Sequence, residues 1–200
     1  MTNSPMTFTD RVRRATDRMV SGAGTALHRA GIHPDTLTIL GLVLVVIAAY
    51  FIATGRLQIG AVILILGLPL DALDGAVARA MQRTDPFGGV LDSTLDRYAD
   101  GFIFGALGYH FASLGQQGYL LLALAALVGS YGVSYVRARA GEANSSVKVG
   151  LFTRLERIGV ILLALLIPAL LVPGLWLLAV GTHLTTLQRL WYVYRTTQKM

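Results

Sequence analysis

Apolar and polar positions alternate in long blocks along this chain, and the blocks predict its elements. Residues 37–54 are almost wholly apolar and long enough for a first membrane span. A turn at Gly55-Arg56 leads to a second helix over 58–80. Its first half is lipid-like; its second half carries Asp71, Asp74 and Arg79, with Pro69 placed to bend it just ahead of the carboxylates. After a short connection at 84–89, a third helix over 87–112 carries Asp92, Asp96 and Asp100. Asp85-Pro86 fits an N-cap followed by proline at the first helical position. An uncharged turn at 115–118 precedes a helix over 119–140 ending in Arg137 and Arg139, and 141–150 read as a polar loop. Arg154, Glu156 and Arg157 lead into a helix over 155–172, Pro173-Gly174 predicts a tight turn, and a last helix covers 175–195.

The segment ahead of these blocks has a different pattern. Residues 1–6 are expected to be disordered. Over 7–30, Phe8, Val12, Ala15, Met19 and Ala23 form one stripe, with Arg11, Arg14 and Arg18 off it. That predicts an amphipathic juxtamembrane helix lying flat on the bilayer surface, the alternative being an ordinary charged leader. A break at 31–34 follows, with Asp35 or Thr36 as the expected cap of the next helix. The expectation is therefore an all-α polytopic membrane protein, a single domain over 1–200 with six transmembrane helices and an N-terminal interfacial helix.

Composition sharpens this. The chain is 54% apolar and only 14% charged, against about 25% in soluble domains, and its mean hydropathy is +0.60. Cysteine is absent, which excludes disulfides and thiolate chemistry. The 17 Lys and Arg exceed the 11 Asp and Glu, but they fall between apolar blocks, where contact with anionic lipid accounts for them better than nucleic acid. Basic residues gather in the first 29 residues, around 79–83, over 137–157 and at the C-terminus; the alternate loops near 56, 115 and 173 hold only Arg56. The positive-inside rule then expects both termini in the cytoplasm, in a prokaryotic plasma membrane, and no cleavable signal peptide is evident. His28, His33, His110 and His183 are scattered, which argues against a histidine metal site, and Trp176, Trp191 and Tyr192 suit membrane interfaces. Gly101, Gly105 and Gly108 give the third helix a small-residue face, for packing within the chain or for a dimer contact.

The chemistry concentrates in DALDGAVARAMQRTDPFGGVLDSTLD, residues 71–96. Asp71 and Asp74 are three apart and Asp92 and Asp96 four apart, so each pair shares one helix face. Two facing helices would hold four carboxylates around a common centre. Bare, that cluster repels itself; hard divalent cations such as Mg²⁺ resolve the repulsion. Small residues, among them Gly75, Ala78, Gly88 and Gly89, allow close approach of a ligand, and Arg79 adds a cation. Carboxylates, metal, small residues and arginine together form an inventory for phosphoryl transfer, in which one carboxylate takes a proton from an attacking hydroxyl. The plainer readings are solvated helix ends or a salt-bridge network with Arg79 and Arg97, Asp85 as a cap, and Asp100 as a supporting or packing group. A small transporter is the alternative of another class, but transporters favour midplane sites and repeats, whereas these acids lie at one end and no repeat is visible.

On these residues the chain resembles the CDP-alcohol phosphatidyltransferase family. The family pattern D-x2-D-G-x2-A-R-x8-G-x3-D-x3-D is filled by Asp71, Asp74, Gly75, Ala78, Arg79, Gly88, Asp92 and Asp96. The resemblance implies transfer of a phosphatidyl group from a CDP-diacylglycerol or CDP-diether lipid to an alcohol, with release of CMP. It implies that Asp71, Asp74 and Asp92 hold two metal ions, Mg²⁺ or Mn²⁺, that Asp96 shares in metal binding or acts as general base, and that Asp92 and Asp96 are the catalytic residues. Asp71, Asp74, Gly75, Ala78, Arg79 and Gly88 line the nucleotide site by the same resemblance, and a homodimer is implied. At the start of the first span the family often has a proline-asparagine pair and a threonine; here Pro34-Asp35 and Thr38 stand there.

A second group of cations bears on the acceptor. Arg137 and Arg139 end one helix, Arg154 and Arg157 begin the next, and Arg189 is near the end of the last. Converging guanidinium forks suit a phosphate and favour a phosphorylated polyol over free serine or inositol, the alternative being membrane topology alone. SYVRARA (134–140), TRLER (153–157) and LQRL (187–190) resemble the inositol-phosphate branch of the family, with Thr153 and Leu155 in place of its usual Glu and Pro. This implies Arg137, Arg154 and Arg189 as ligands of the acceptor phosphate, with an Arg157–Glu156 ion pair in support. Inositol 1-phosphate is the expected acceptor and glycerol 3-phosphate the alternative.

Overall fold

The computed structural model describes residues 8–142, 147 and 149–198, with side chains from residue 19 onward. The expected disorder of 1–6, the side chains of the stripe before Met19, and much of the 141–150 loop lie outside the described residues.

Seven α-helices follow in order: α1 (Phe8–Arg29), α2 (Pro34–Ala53), α3 (Leu57–Ala80), α4 (Phe87–Ser113), α5 (Gln117–Glu142), α6 (Arg154–Leu166) and α7 (Leu171–Thr197), with one 3₁₀ turn, Pro168–Leu170, ahead of α7. The described residues contain no strand. The all-α expectation and most helix ends agree with the blocks of the sequence. The count of six spans does not. Four helical stretches are long and apolar enough to cross a membrane: Pro34–Ala53, Leu57–Ala80, Gln117–Glu142 and Pro168–Thr197. Helix α4 is long, but its N-terminal half is too charged: every stretch of membrane-crossing length within it includes Asp96, Arg97 and Asp100. Helix α6 has 13 residues, about 20 Å at 1.5 Å per residue, against a hydrocarbon core of about 30 Å.

The reason α6 falls short is the placement of its break. The expected turn at Pro173-Gly174 is absent, and both residues lie in the first turn of α7. Proline is tolerated there because the first N–H groups of a helix have no partner to lose. The chain breaks at Pro168 instead, which forces the preceding Ile167 into an extended conformation (φ −115°, ψ 96°). Helix α2 likewise begins at Pro34, ahead of its expected caps.

The chain divides into two compact units, and α2, α3 and α4 each contribute a stretch to both. One unit comprises residues 44–65 and 97–200. Its apolar core joins Ile52, Ala61, Phe104, Leu107, Ala126, Leu165, Leu175 and Leu178, all nearly or wholly inaccessible. Of the three glycines on α4, Gly101 is used here for packing: the Tyr131 hydroxyl lies 2.9 Å from where a Gly101 Cβ would stand, and it donates to the Arg97 carbonyl.

The other unit comprises residues up to 43 and 66–96. Within it α1 meets α3 at Gly24, its one buried residue among those whose side chains are described. A Cβ at Gly24 would stand 2.6 Å from the Ala76 Cβ and 2.7 Å from its carbonyl carbon, so only glycine permits this contact.

Candidate active site

Asp71 and Asp74 project from the last three turns of α3, and Asp92 from the second turn of α4. Each offers one carboxylate oxygen, and these three oxygens lie within 4.8 Å of one another. Asp74 is buried and Asp71 is exposed, so the cluster joins a sheltered wall to an open face. Asp96, one turn further along α4, is not among the three. The two helices thus bring three of the four expected ligands together.

The donor set fits a hard divalent cation. At an effective dielectric near 20, two unit negative charges 4.8 Å apart repel by roughly 3.5 kcal/mol, and three carboxylates meet here. Asp74 accepts the Thr38 hydroxyl at 2.8 Å on Oδ2. A hydroxyl orients one oxygen but does not offset the charge. Three clustered carboxylate oxygens are the ligand type that Mg²⁺ and Mn²⁺ take.

The connection between α3 and α4 is tied down by Arg83, which the sequence reading left unassigned. Its guanidinium pairs with both Asp85 and Asp35. The Asp85 pair holds the carboxyl of Asp85 below the usual carboxylate range. The Arg83 guanidinium lies over Gly88, where a Cβ would come within 2.9 Å of Nη1, and Arg79 Nη1 lies 3.3 Å from the Cβ position of Gly75. Both glycines of the motif are therefore places where an arginine crosses the backbone. The signal for Arg83 was available: an acid at 35 where asparagine is common, and an arginine just ahead of Asp85-Pro86.

The arginines of the other unit form a cluster of their own. Arg189, implied as a ligand of the acceptor phosphate near the end of the last helix, is buried at 3% exposure. It donates from Nε to the Val149 carbonyl (2.9 Å) and from Nη1 to the Val133 carbonyl (2.7 Å). The charges of Arg137 and Arg157 act on it, and those of Arg157, Arg97 and Arg154 act on Asp100. Arg137 is exposed and Arg154 half-buried. The supporting ion pair differs from the expected one: Arg157, at 5% exposure, pairs with Asp100 at 3.2 Å, while Glu156 accepts the Thr153 hydroxyl. Burial explains the exchange, since a buried guanidinium needs a sheltered carboxylate and Glu156 is exposed.

Comparison with known proteins agrees with this geometry. Residues 31–188 match the family described as CDP-alcohol phosphatidyltransferase. The archaetidylinositol phosphate synthase of Pyrococcus horikoshii is 36% identical over 90% of this chain and 94% of its own. The crystal structure of Mycobacterium tuberculosis phosphatidylinositol phosphate synthase with CDP-DAG bound superposes with a TM-score of 0.83 at 34% identity, covering 88% of this chain and 94% of that one. A second structure of that enzyme, in complex with manganese and citrate, gives a TM-score of 0.81 at the same identity, with 88% of each chain covered.

Proposed function

The chain belongs to the CDP-alcohol phosphatidyltransferase family, on the side of its phosphatidylinositol phosphate synthases, and on that premise we propose that its acceptor is inositol 1-phosphate. The reaction type is that of the family: a phosphatidyl group passes from a CDP-lipid to an alcohol in the presence of a divalent metal. For the acceptor, the observation that carries the reading is the excess of arginine around Arg189 and Asp100, which favours a dianionic phosphate over an uncharged or zwitterionic alcohol.

The residues divide the work. Asp71, Asp74 and Asp92 hold the cation, with Asp96 completing a two-metal site for Mg²⁺ or Mn²⁺. Bound there, the metal supplies charge neutralisation for the diphosphate of the CDP-lipid. Gly75, Ala78, Arg79 and Gly88 line the nucleotide. Arg137, Arg154 and Arg189 take the acceptor phosphate and orient the polyol. Its attacking hydroxyl bonds to the lipid-side phosphorus, the bond from that phosphorus to the CMP oxygen breaks, and the proton passes to Asp96. Phosphatidylinositol phosphate and CMP are the products. The whole chain serves this reaction as one domain, α1 rests on the membrane surface, and the site and both termini face the cytoplasm. The basic residues ahead of α2, at the end of α3 and near the C-terminus, with the solubility of the polyol, support that orientation. The homodimer stands on family resemblance alone.

Glycerol 3-phosphate is the second reading, because the arginines recognise the phosphate more than the polyol. Purified protein given CDP-diacylglycerol or a CDP-diether lipid, Mg²⁺ and each acceptor in turn separates them. The expected outcome is CMP release and a phosphorylated lipid product with inositol 1-phosphate. Transfer to free inositol or serine, but to neither phosphate, would sink the arginine reading while leaving the family in place.

A further inference from the structure

Arg189 does not stand alone on its helix. Gly181, Thr185 and Arg189 recur every four residues on α7 and are all buried, so they form one stripe. The segment 149–153 lies along that stripe and touches each member. The Phe152 ring occupies the space where a Gly181 Cβ would stand, with ring carbons 2.3 Å from that point. The Phe152 N–H donates to Thr185 Oγ1 at 3.1 Å. The Val149 carbonyl accepts from Arg189 Nε. Gly150 passes directly over the last two: its φ is +139°, and a Cβ there would come within 2.8 Å of Thr185 Cγ2, 3.1 Å of Arg189 Nε and 3.3 Å of Nη2.

A guanidinium has five N–H groups in one plane. Two of those on Arg189 are committed to carbonyls through different nitrogens, which fixes the plane and leaves one N–H on Nη1 and both on Nη2. We infer that Gly150 and Thr185 are positioning residues for the acceptor: through the segment 149–153 they hold the Arg189 fork in the plane that receives the phosphate. This rests on the reading of Arg189 as a phosphate ligand. Gly150 is required twice, once by its backbone angle and once because any side chain would displace the guanidinium. Thr185 acts at one remove, by anchoring the segment whose carbonyl Arg189 needs.

The test is a double-mutant cycle on the full-length enzyme in detergent, reading KM for inositol 1-phosphate, KM for CDP-diacylglycerol and kcat. Arg189→Ala raises the acceptor KM by about a hundredfold, and Gly150→Ala by about tenfold with the CDP-lipid KM unchanged. In the Arg189→Ala background Gly150→Ala adds nothing, because its effect passes through the missing guanidinium. Additive effects, or equal rises in both KM values, overturn the inference. If Gly150→Ala fails to fold, Thr185→Val carries the test: it keeps the shape, removes the acceptor of the Phe152 N–H, and raises the acceptor KM about threefold. No change in that KM also overturns it. An Arg189→Ala enzyme with an unaltered acceptor KM would show instead that the phosphate reading of Arg189 is wrong.

Discussion

The carboxylate centre and the arginine cluster are built in opposite ways. The three carboxylates come from residues 71–92, held by helix periodicity and one connection pinned by Arg83. The arginine cluster draws on α4, α5, α6 and α7, and its members find partners 40 to 57 residues away in sequence. The first site is held against its own repulsion and calls for a cation. The second is an excess of cations steadied by backbone carbonyls and one acid. A local motif can be read off a sequence because its geometry is that of the helix; a cluster gathered from four helices has no such ruler.

The sharpest way to break this comparison is Asp74→Asn. The variant keeps the shape of the side chain and removes the buried charge that the cation requires, so CMP release should fall by at least about a thousandfold. Chelation should do the same to the native enzyme, and Mn²⁺ paramagnetic resonance should show binding in the native protein and little in the variant. A normally active Asp74→Asn enzyme would end the metal reading. The next effect belongs to the other region. Arg157→Ala strands Asp100 in a sheltered place and should lower stability by about 3 kcal/mol, read as a fall in Tm in detergent. The double variant Arg157→Met, Asp100→Leu should recover most of that loss, because it leaves no lone charge.

Thr38→Val tests the support of the carboxylates. It removes the 2.8 Å bond to Asp74 and should weaken Mn²⁺ affinity several-fold, on the order of 1 kcal/mol, with the acceptor KM unchanged. The smallest effect is that of pH on the connection. The lowered pKa of Asp85, held down by Arg83, means that their tie contributes fully above the ordinary carboxylate range and is lost as pH falls through the lower folded value. Hydrogen exchange at the backbone of 83–88 should therefore accelerate only in strong acid, and an onset near neutrality would assign the protection to another group.

These contrasts also say what was legible in the chain. The aspartate spacing and the helix blocks were visible because they depend on period and position; the tie from Thr38 to Asp74 was not, because only the fold brings those two helices together. The span count was not, because a charged helix half and a 13-residue helix read as spans only while their apolar residues alone are counted. Two prolines five residues apart offered two breaks, and only the chain geometry decided that Pro168 ends a helix while Pro173 begins one. The Arg157–Asp100 pair was missed because its adjacent rival, Glu156, is nearer in sequence but exposed.

The contact at Gly24 has a mechanical corollary. Two helices that meet without an intervening side chain have no cushion between them, so a rocking of α1 is transmitted undamped to Ala76, two residues beyond Asp74. On the proposed function, the first helix would act as a lever with its fulcrum beside the carboxylates assigned to the metal. If α1 rests on the membrane surface as proposed, turnover should track the surface charge of that leaflet, and a rate indifferent to anionic lipid content in reconstituted vesicles would mean that the joint is merely structural.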